Sequence, residues 1–330
     1  MRWGWRLRCS PAWKAQHAYV AGYANARERF SYNPRMATRA FGFTLALVGT
    51  LAVATRLLGE QATRPAPPTS VRLYVLDGGI LESDPGRYKL TKEDVGTSQL
   101  SVAAYLITHP KGVLMWDTGA ITDADWSPTG KASAQKLTLP DGQGRQVTLA
   151  NALVPQLKAA GYTPADVTFL ALSHYHWDHT ANANVFAGAT WLARSLDRDA
   201  MFAEKPLGTA RPTTYSALKT SRTTLIKDDE HDVFGDGTVI LKSAPGHTPG
   251  HQVLYVKLAR TGGVLLSGDL YHYQAERRLD RYPTFEFDVE QTRGARRSVD
   301  AFLKKTGAQL WIQHDLDAHA KLKKAPAYYD

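Results

Sequence analysis

Val167-Thr168-Phe169-Leu170-Ala171-Leu172 passes without a break into Ser173-His174-Tyr175-His176-Trp177-Asp178-His179. The first six residues read as a strand buried on both faces, and the next seven as the loop that leaves it. That loop spells His-x-His-x-Asp-His. With 11 histidines in 330 residues, the four-position pattern arises by chance on the order of once in a thousand such chains. Imidazole and carboxylate are the donors that borderline divalent ions such as zinc take. Four donors inside six residues cannot converge on one ion without strain, so the spacing predicts two adjacent ions.

Three further clusters lie downstream. Gly246-His247-Thr248-Pro249-Gly250-His251 is a Gly/Pro turn with two imidazoles. Ser267-Gly268-Asp269 closes the apolar run Val264–Leu266, and Gln313-His314-Asp315 closes Leu310–Ile312. A single histidine at a strand end is ordinarily a hydrogen-bonded packing residue. Four clusters, all at strand ends, are not explained that way, because loops after strands are where α/β proteins build sites. His109, His231 and His319 have no such support and are assigned to packing. Asp117, in Trp116-Asp117-Thr118-Gly119, is read as orienting the ligand loops rather than binding metal.

The rest of the body alternates strands and helices without a fixed repeat. Strands are expected at Val71–Leu76, Val102–Thr108, Gly112–Trp116, Thr190–Ala193, Thr223–Ile226, Thr238–Leu241, Val253–Leu258, Val264–Leu266 and Leu310–Ile312. A helix is expected around Pro155–Ala160, with Pro155 in its first turn and Gly161 as its stop. A second spans Val289–Lys305, capped by Asp288, with Gln291 placed for a capping box and Gly307 ending it. Interspersed strands and helices predict a layered α/β architecture.

The chain is 43% hydrophobic and 22% charged, the composition of a folded globular protein. Its one cysteine, Cys9, excludes a disulfide framework and a thiolate zinc finger. The formal charge is +9, but residues 1–35 hold seven Arg/Lys against Glu28, and residues 36–70 three against Glu60, which leaves +1 for residues 71–330. A near-neutral body has no broad field for a polyanion, so no nucleic-acid partner is expected.

From Phe41 to Ala54 the chain carries no charge. This run is shorter than the ~20 residues that span a bilayer. It matches the apolar core of a secretory signal, with Arg39 before it and Ala52-Val53-Ala54 as a cleavage site. Met36 opens Met-Ala-Thr-Arg directly before that core. The expectation is therefore an upstream extension over residues 1–35, translation from Met36, a signal peptide over 36–54, a Pro/Ala-rich linker over 55–70 and the working domain over 71–330. The product is exported, periplasmic or secreted, and meets a membrane only through the signal segment. The alternative is an N-terminal arm with a single membrane anchor.

His174-x-His176-x-Asp178-His179, then Gly246 to His251, Ser267-Gly268-Asp269 and the late His314 resemble, in type and order, the metallo-β-lactamase superfamily, and within it the N-acyl-homoserine lactonases. The resemblance covers essentially all of residues 71–330. It implies an αββα sandwich, two face-to-face mixed sheets with helices outside and the metals at one sheet edge. It further implies that His174, His176 and His247 hold one divalent ion, that Asp178, His179 and His314 hold the other, and that Asp269 bridges them, with zinc the expected metal. One departure is visible. Lactonases of this group place a tyrosine three residues after the bridging aspartate, and here that position is His272, flanked by Tyr271 and Tyr273. Either His272 takes the role of donor to the substrate carbonyl or a neighbouring tyrosine reaches in.

The implied chemistry is attack on a lactone or ester carbonyl by a metal-bridging hydroxide, with Asp178 passing the proton to the leaving alkoxide. The substrate expected is a small molecule with an apolar acyl chain, held by the aromatic run Tyr271, Tyr273, Tyr282, Phe285 and Phe287. Aryl-ester or phosphodiester hydrolysis and a mononuclear iron persulfide dioxygenase are the alternatives on the same fold. β-Lactam hydrolysis does not use a bridging aspartate, and glyoxalase II-type hydrolysis needs more than the sixteen residues that follow His314. A degenerate binding module would have lost ligands, and none is missing here.

Overall fold

Two long apolar runs found the larger sheet. In the computed structural model, which describes residues 65–127, 133–139, 142–205, 207 and 209–330, β1 (Arg72–Glu82) pairs antiparallel with β2 (Gln99–His109), from Arg72↔Thr108 to Glu82↔Gln99. The expected extension and signal peptide, residues 1–54, lie outside the described residues, as do 55–64 of the linker. A hairpin joins β2 to β3 (Gly112–Trp116), and a second one is made by β4 (Ser133–Thr138) and β5 (Gly144–Leu149). With β6 (Phe169–Ala171), β7 (Thr190–Arg194) and β8 (Thr223–Ile226), the order is β4-β5-β1-β2-β3-β6-β7-β8. The smaller sheet holds β9 (Glu230–Asp232), β10 (Val239–Ser243), β11 (Gln252–Leu258), β12 (Gly262–Leu266) and β13 (Gln309–Trp311), in the order β13-β12-β11-β10-β9. The helices are α1 (Leu153–Ala159), α2 (Trp177–Thr180), α3 (Ser195–Met201), α4 (Gln274–Leu279), α5 (Val289–Thr306) and α6 (Leu316–Lys321).

Period-2 alternation sorts the side chains into layers. Leu73, Val75, Tyr105 and Trp116 of the larger sheet face Leu241, Leu254, Val256 and Leu266 of the smaller one, closing the central core. The alternate residues of the larger sheet, Tyr74, Leu76 and Leu106, pack under Leu153 and Leu157 of α1. On the other side Val253 and Leu265 pack under Ala295, Val299 and Leu303 of α5. The described residues therefore form an αββα sandwich, as expected, and β2 is buried along nearly its whole length because both its faces are covered.

Several local expectations are corrected. The first strand runs on to Glu82, across a bulge at Asp77/Gly79 that Gly79 makes possible at φ 122°. The buried run at Val167–Leu172 keeps only Phe169–Ala171 in the sheet. α1 begins before Pro155, because Asp123 reaches over from another segment and accepts from the N–H groups of Leu153 and Val154, both at 2.7 Å. Asp288 caps α5 as predicted, accepting from Glu290 N and Gln291 N. The capping box does not close: the Asp288 N–H goes to Gly246 O at 2.9 Å, so Gln291 turns its amide onto the Asp288 carboxylate instead. The cap of α5 is thus stitched to the turn that carries His247.

The sheet edges decide where the site forms. β3 runs parallel to β6, and β12 parallel to β13, so each pair ends together, and Gln313 Nε2 donating to Asp117 Oδ2 at 2.8 Å joins the ends of the two pairs. β11 starts at that side, because it pairs antiparallel with β12 at Leu254↔Leu266. Asp117, Ser173–His179, Asp269 and His314 follow the four strand ends, and the 246–251 turn precedes β11. The carboxyl ends of parallel strands are the usual location of α/β sites.

Candidate metal centre

Seven side chains, His174, His176, Asp178, His179, His247, Asp269 and His314, converge there and all are buried. The two oxygens of Asp269 divide the cluster. Oδ1 lies 3.0 Å from His179 Nε2 and 3.0 Å from His314 Nε2; Oδ2 lies 3.3 Å from His247 Nε2 and 3.6 Å from His174 Nε2. Within each half the imidazole nitrogens face one another, His176 Nδ1 to His247 Nε2 at 3.0 Å and His179 Nε2 to His314 Nε2 at 3.3 Å. Ligands bound tetrahedrally at 2.0–2.1 Å sit about 3.3 Å apart, so these separations fit divalent ions. Asp178 Oδ2 completes the second half at 3.8 Å from His314 Nε2 and 4.0 Å from His179 Nε2. His174 Nε2 and Asp269 Oδ1 are buried with no hydrogen-bond partner, which a coordinating cation would supply.

The electrostatics point the same way. Burial drives His174 and His176 well below the ordinary imidazole value, leaving neutral rings with a free lone pair. Burial opposes charge on His179 too, but Asp269, Asp117 and Asp178 outweigh it and lift it well above. A field that holds a proton there holds a metal cation more strongly. Burial would raise the Asp269 carboxyl, yet the surrounding imidazoles, His179 and His314 foremost, hold it well below the carboxylate range.

The far nitrogens of four of the five rings are tied down, which orients those rings. His179 Nδ1 meets Asp117 Oδ2 at 2.9 Å, and His314 Nδ1 donates to Ser101 O at 2.6 Å. His174 Nδ1 meets Ser173 Oγ at 2.9 Å, and His247 Nδ1 meets Glu286 Oε1 at 3.1 Å. Asp117 also accepts from Ser173 N at 2.6 Å and Gln313 Nε2 at 2.8 Å, the orienting part expected of it. His251 lies outside the ligand groups: its Nδ1 donates to Ala244 O, so Nε2 accepts from Asp269 N at 3.0 Å. Glu286 was not singled out by sequence, since a lone glutamate in an aromatic-rich loop carries no signal. Two motif glycines are required sterically. At φ 50° a Cβ on Gly268 would lie 2.7 Å from His251 Nε2, and at φ 134° one on Gly246 would lie 2.2 Å from Thr292 N.

A cleft opens above the cluster, lined by His176, Asp178, Asp269, His272 and His314 with Leu81, Leu100, Trp177 and Phe285. Arg87 and Arg145 stand at it as well, the former with its guanidinium 4.6 Å from the Phe285 ring. His272 is buried in the floor, its Nε2 3.1 Å from Asp269 Oδ2 and its ring parallel to that of His314. The tyrosines beside it are placed otherwise. Tyr271 packs in the α5 core with the Arg296 guanidinium 4.2 Å from its ring, and Tyr273 donates to Ser98 O in a separate hydrophobic cluster. The expectation that Tyr271 serves the site is corrected accordingly. Tyr282 is likewise buried against Arg296, at 4.3 Å, so Phe285 is the member of the aromatic run that lines the cleft.

Fold and site together define a metal-dependent hydrolase. The chain belongs to the metallo-beta-lactamase superfamily, whose sequence model matches residues 97–308. The relatives it resembles are N-acyl homoserine lactonases. AttM of Azorhizobium caulinodans is 30% identical over 266 residues, which covers 79% of this chain and 100% of that protein. AiiA of Bacillus thuringiensis subsp. kurstaki is 26% identical over 264 residues, covering 79% and 99%. Among solved structures, a mutant of B. thuringiensis AiiA with N-decanoyl-L-homoserine bound at its active site superposes with a TM-score of 0.64 at 22% identity, over 78% of this chain and 99% of that one. AidC, described as a dizinc quorum-quenching lactonase in complex with a product, superposes at 0.56 and 17% identity, over 79% and 94%. These superpositions establish the shared fold.

Proposed function

We propose that this chain is an exported dizinc hydrolase that opens the ring of N-acyl homoserine lactones. The observation that supports it most is Asp269, whose two oxygens serve two facing imidazole pairs beneath a cleft, in a chain that matches lactonases over their full length. Zinc suits the donor set of imidazoles and carboxylates. The ligands are His174, His176 and His247 on one side, Asp178, His179 and His314 on the other, and Asp269 between them. Two such ions would supply an acidified water and an electrophile for the carbonyl.

The chain's own residues do the rest. Asp178, in the cleft beside His314, accepts the proton of the attacking water and delivers it to the ring oxygen as the acyl C–O bond breaks. One water is consumed: its oxygen joins the acyl carbon, one proton ends on the ring oxygen as a hydroxyl, and the carboxylic acid formed releases the other to solvent. His272 donates a hydrogen bond to the substrate carbonyl, the place taken by tyrosine in the lactonases it resembles. Leu81, Leu100, Trp177 and Phe285 receive the acyl chain.

The test is a hydrolysis screen of purified protein against acyl-homoserine lactones, aryl esters, β-lactams and phosphodiesters, with metal content measured on the same sample. Ring opening by protein carrying close to two zinc ions is expected. Inactivity toward every acyl-homoserine lactone, with efficient cleavage of another class, overturns the substrate assignment; a single iron overturns the dizinc one.

Export rests on Arg39, the apolar run 41–54 and Ala52-Val53-Ala54. Amino-terminal sequencing of the native protein is expected to begin near Thr55. An intact chain starting at Met1 in the cytosol overturns both the Met36 start and the periplasmic assignment.

A further inference from the structure

We propose that Asp197 is a positioning residue for one half of the centre, setting the distance between the loop that carries His174 and His176 and the turn that carries His247. The inference rests on the ligand assignment above. Asp197 sits in the first turn of α3, buried, and no hydrogen bond joins it to a candidate ligand ring among the described residues. Its Oδ1 accepts from Gly250 N at 2.6 Å and its carboxylate also takes the Thr248 hydroxyl, through Oδ2, at 2.9 Å. The backbone N–H of Tyr175, between His174 and His176, also faces this carboxylate. One side chain from a third element thus stands between the two ligand-bearing segments, bonded to the 248–250 turn and facing the 174–176 loop.

Two details show that the approach is built in. A Cβ on Gly250 would lie 2.9 Å from Asp197 Oδ1 and from Asp197 N, so only glycine lets the turn close onto the carboxylate. Burial works against the charge, and the hydrogen bonds from Thr248 and Gly250, followed by the nearby His247 imidazole, offset it. Asp117 performs the matching task for the other half, through His179 and Gln313. The two halves are therefore held by separate carboxylates, and each is expected to be loosened separately. Outer partners of metal ligands typically carry about 10–100-fold in affinity. Asp197 exerts that effect through backbone rather than through a ring nitrogen.

The test measures zinc affinity at both positions by chelator competition on the full chain stripped of metal, with the cobalt(II) absorption spectrum as a second readout. Wild type is expected to bind two ions, and Asp197→Asn to weaken one by roughly 10–100-fold while the other holds. The loss should be absent in a His247→Ala background, where that half is already broken, and undiminished in a His314→Ala background. Thr248→Val, which removes a single bond, should weaken the same ion by less, and it decides the matter if Asp197→Asn does not fold. A folded variant that keeps both affinities, or loses both equally, overturns the inference. A wild-type chain that binds fewer than two ions overturns the ligand assignment itself.

Discussion

Ser173 donates its backbone N–H to the carboxylate of Asp117 at 2.6 Å, joining the ends of β6 and β3 across 56 positions of sequence. The other oxygen of Asp117 meets His179 Nδ1 at 2.9 Å, so one side chain sets both the start of the ligand loop and the tautomer of a ligand within it. Asp117 itself sits at φ 53°, a left-handed conformation that asparagine tolerates well. Asp117→Asn should therefore fold, while losing the charge that orients His179. Zinc affinity in the His179/His314 half should fall about 10–100-fold, read by chelator competition.

Asp269→Ala removes the one group that faces both imidazole pairs. Wild-type protein should carry close to two divalent ions per chain, and this variant fewer, by elemental analysis of dialysed samples. Full retention of both ions would show that Asp269 is not the bridge.

How much of this was legible in sequence follows from how local each signal is. His-x-His-x-Asp-His announces itself because four donors within six residues have no packing explanation, and the strands before Asp269 and His314 are short apolar runs that the 264–266 and 310–312 segments display openly. The β4–β5 hairpin was hidden because Ser133–Thr138 and Gly144–Leu149 mix polar and apolar residues on a half-exposed edge. Glu286 gains its meaning from His247, 39 positions away, and Asp197 from Thr248 and Gly250, 51 and 53 positions away, which no local pattern encodes. The orientation of Tyr271 was equally hidden: the 3-10 turn over Gly268–Leu270 interrupts strand alternation and sends it under Arg296.

His319 offers a pH prediction at a residue outside the ligand groups. It is buried in α6 with Nε2 unpartnered, and burial, with Lys324 adding to it, lowers its pKa from 6.5 to about 3. The unfolded chain takes up the proton near 6.5 and the folded one only near 3, so stability is full above 6.5 and is lost as the pH falls through that window. At two pH units below 6.5 the loss is on the order of 2–3 kcal/mol. Urea unfolding at pH 7 and pH 4.5 should show it in wild type, and His319→Gln should show a smaller difference between the two.

The last prediction separates His272 from its neighbours. His272 lies in the cleft floor with Nε2 3.1 Å from Asp269 Oδ2, and its backbone N–H is held by the buried Glu276 carboxylate at 2.5 Å. A donor fixed in that way is pre-organised for an oxygen that gains charge as the carbonyl is attacked. His272→Ala should slow turnover of an acyl-homoserine lactone by roughly 10²–10³, the usual loss for one oxyanion donor, with the decrease in kcat rather than KM and with metal content unchanged. Tyr271→Phe should leave turnover at the wild-type level, because that ring lies in the core against Arg296. If His272→Ala sheds an ion, the residue is acting as a ligand, consistent with its grouping with Asp269 and His314. If the loss appears instead in Tyr271→Phe, the loop that follows Asp269 must rearrange when substrate enters.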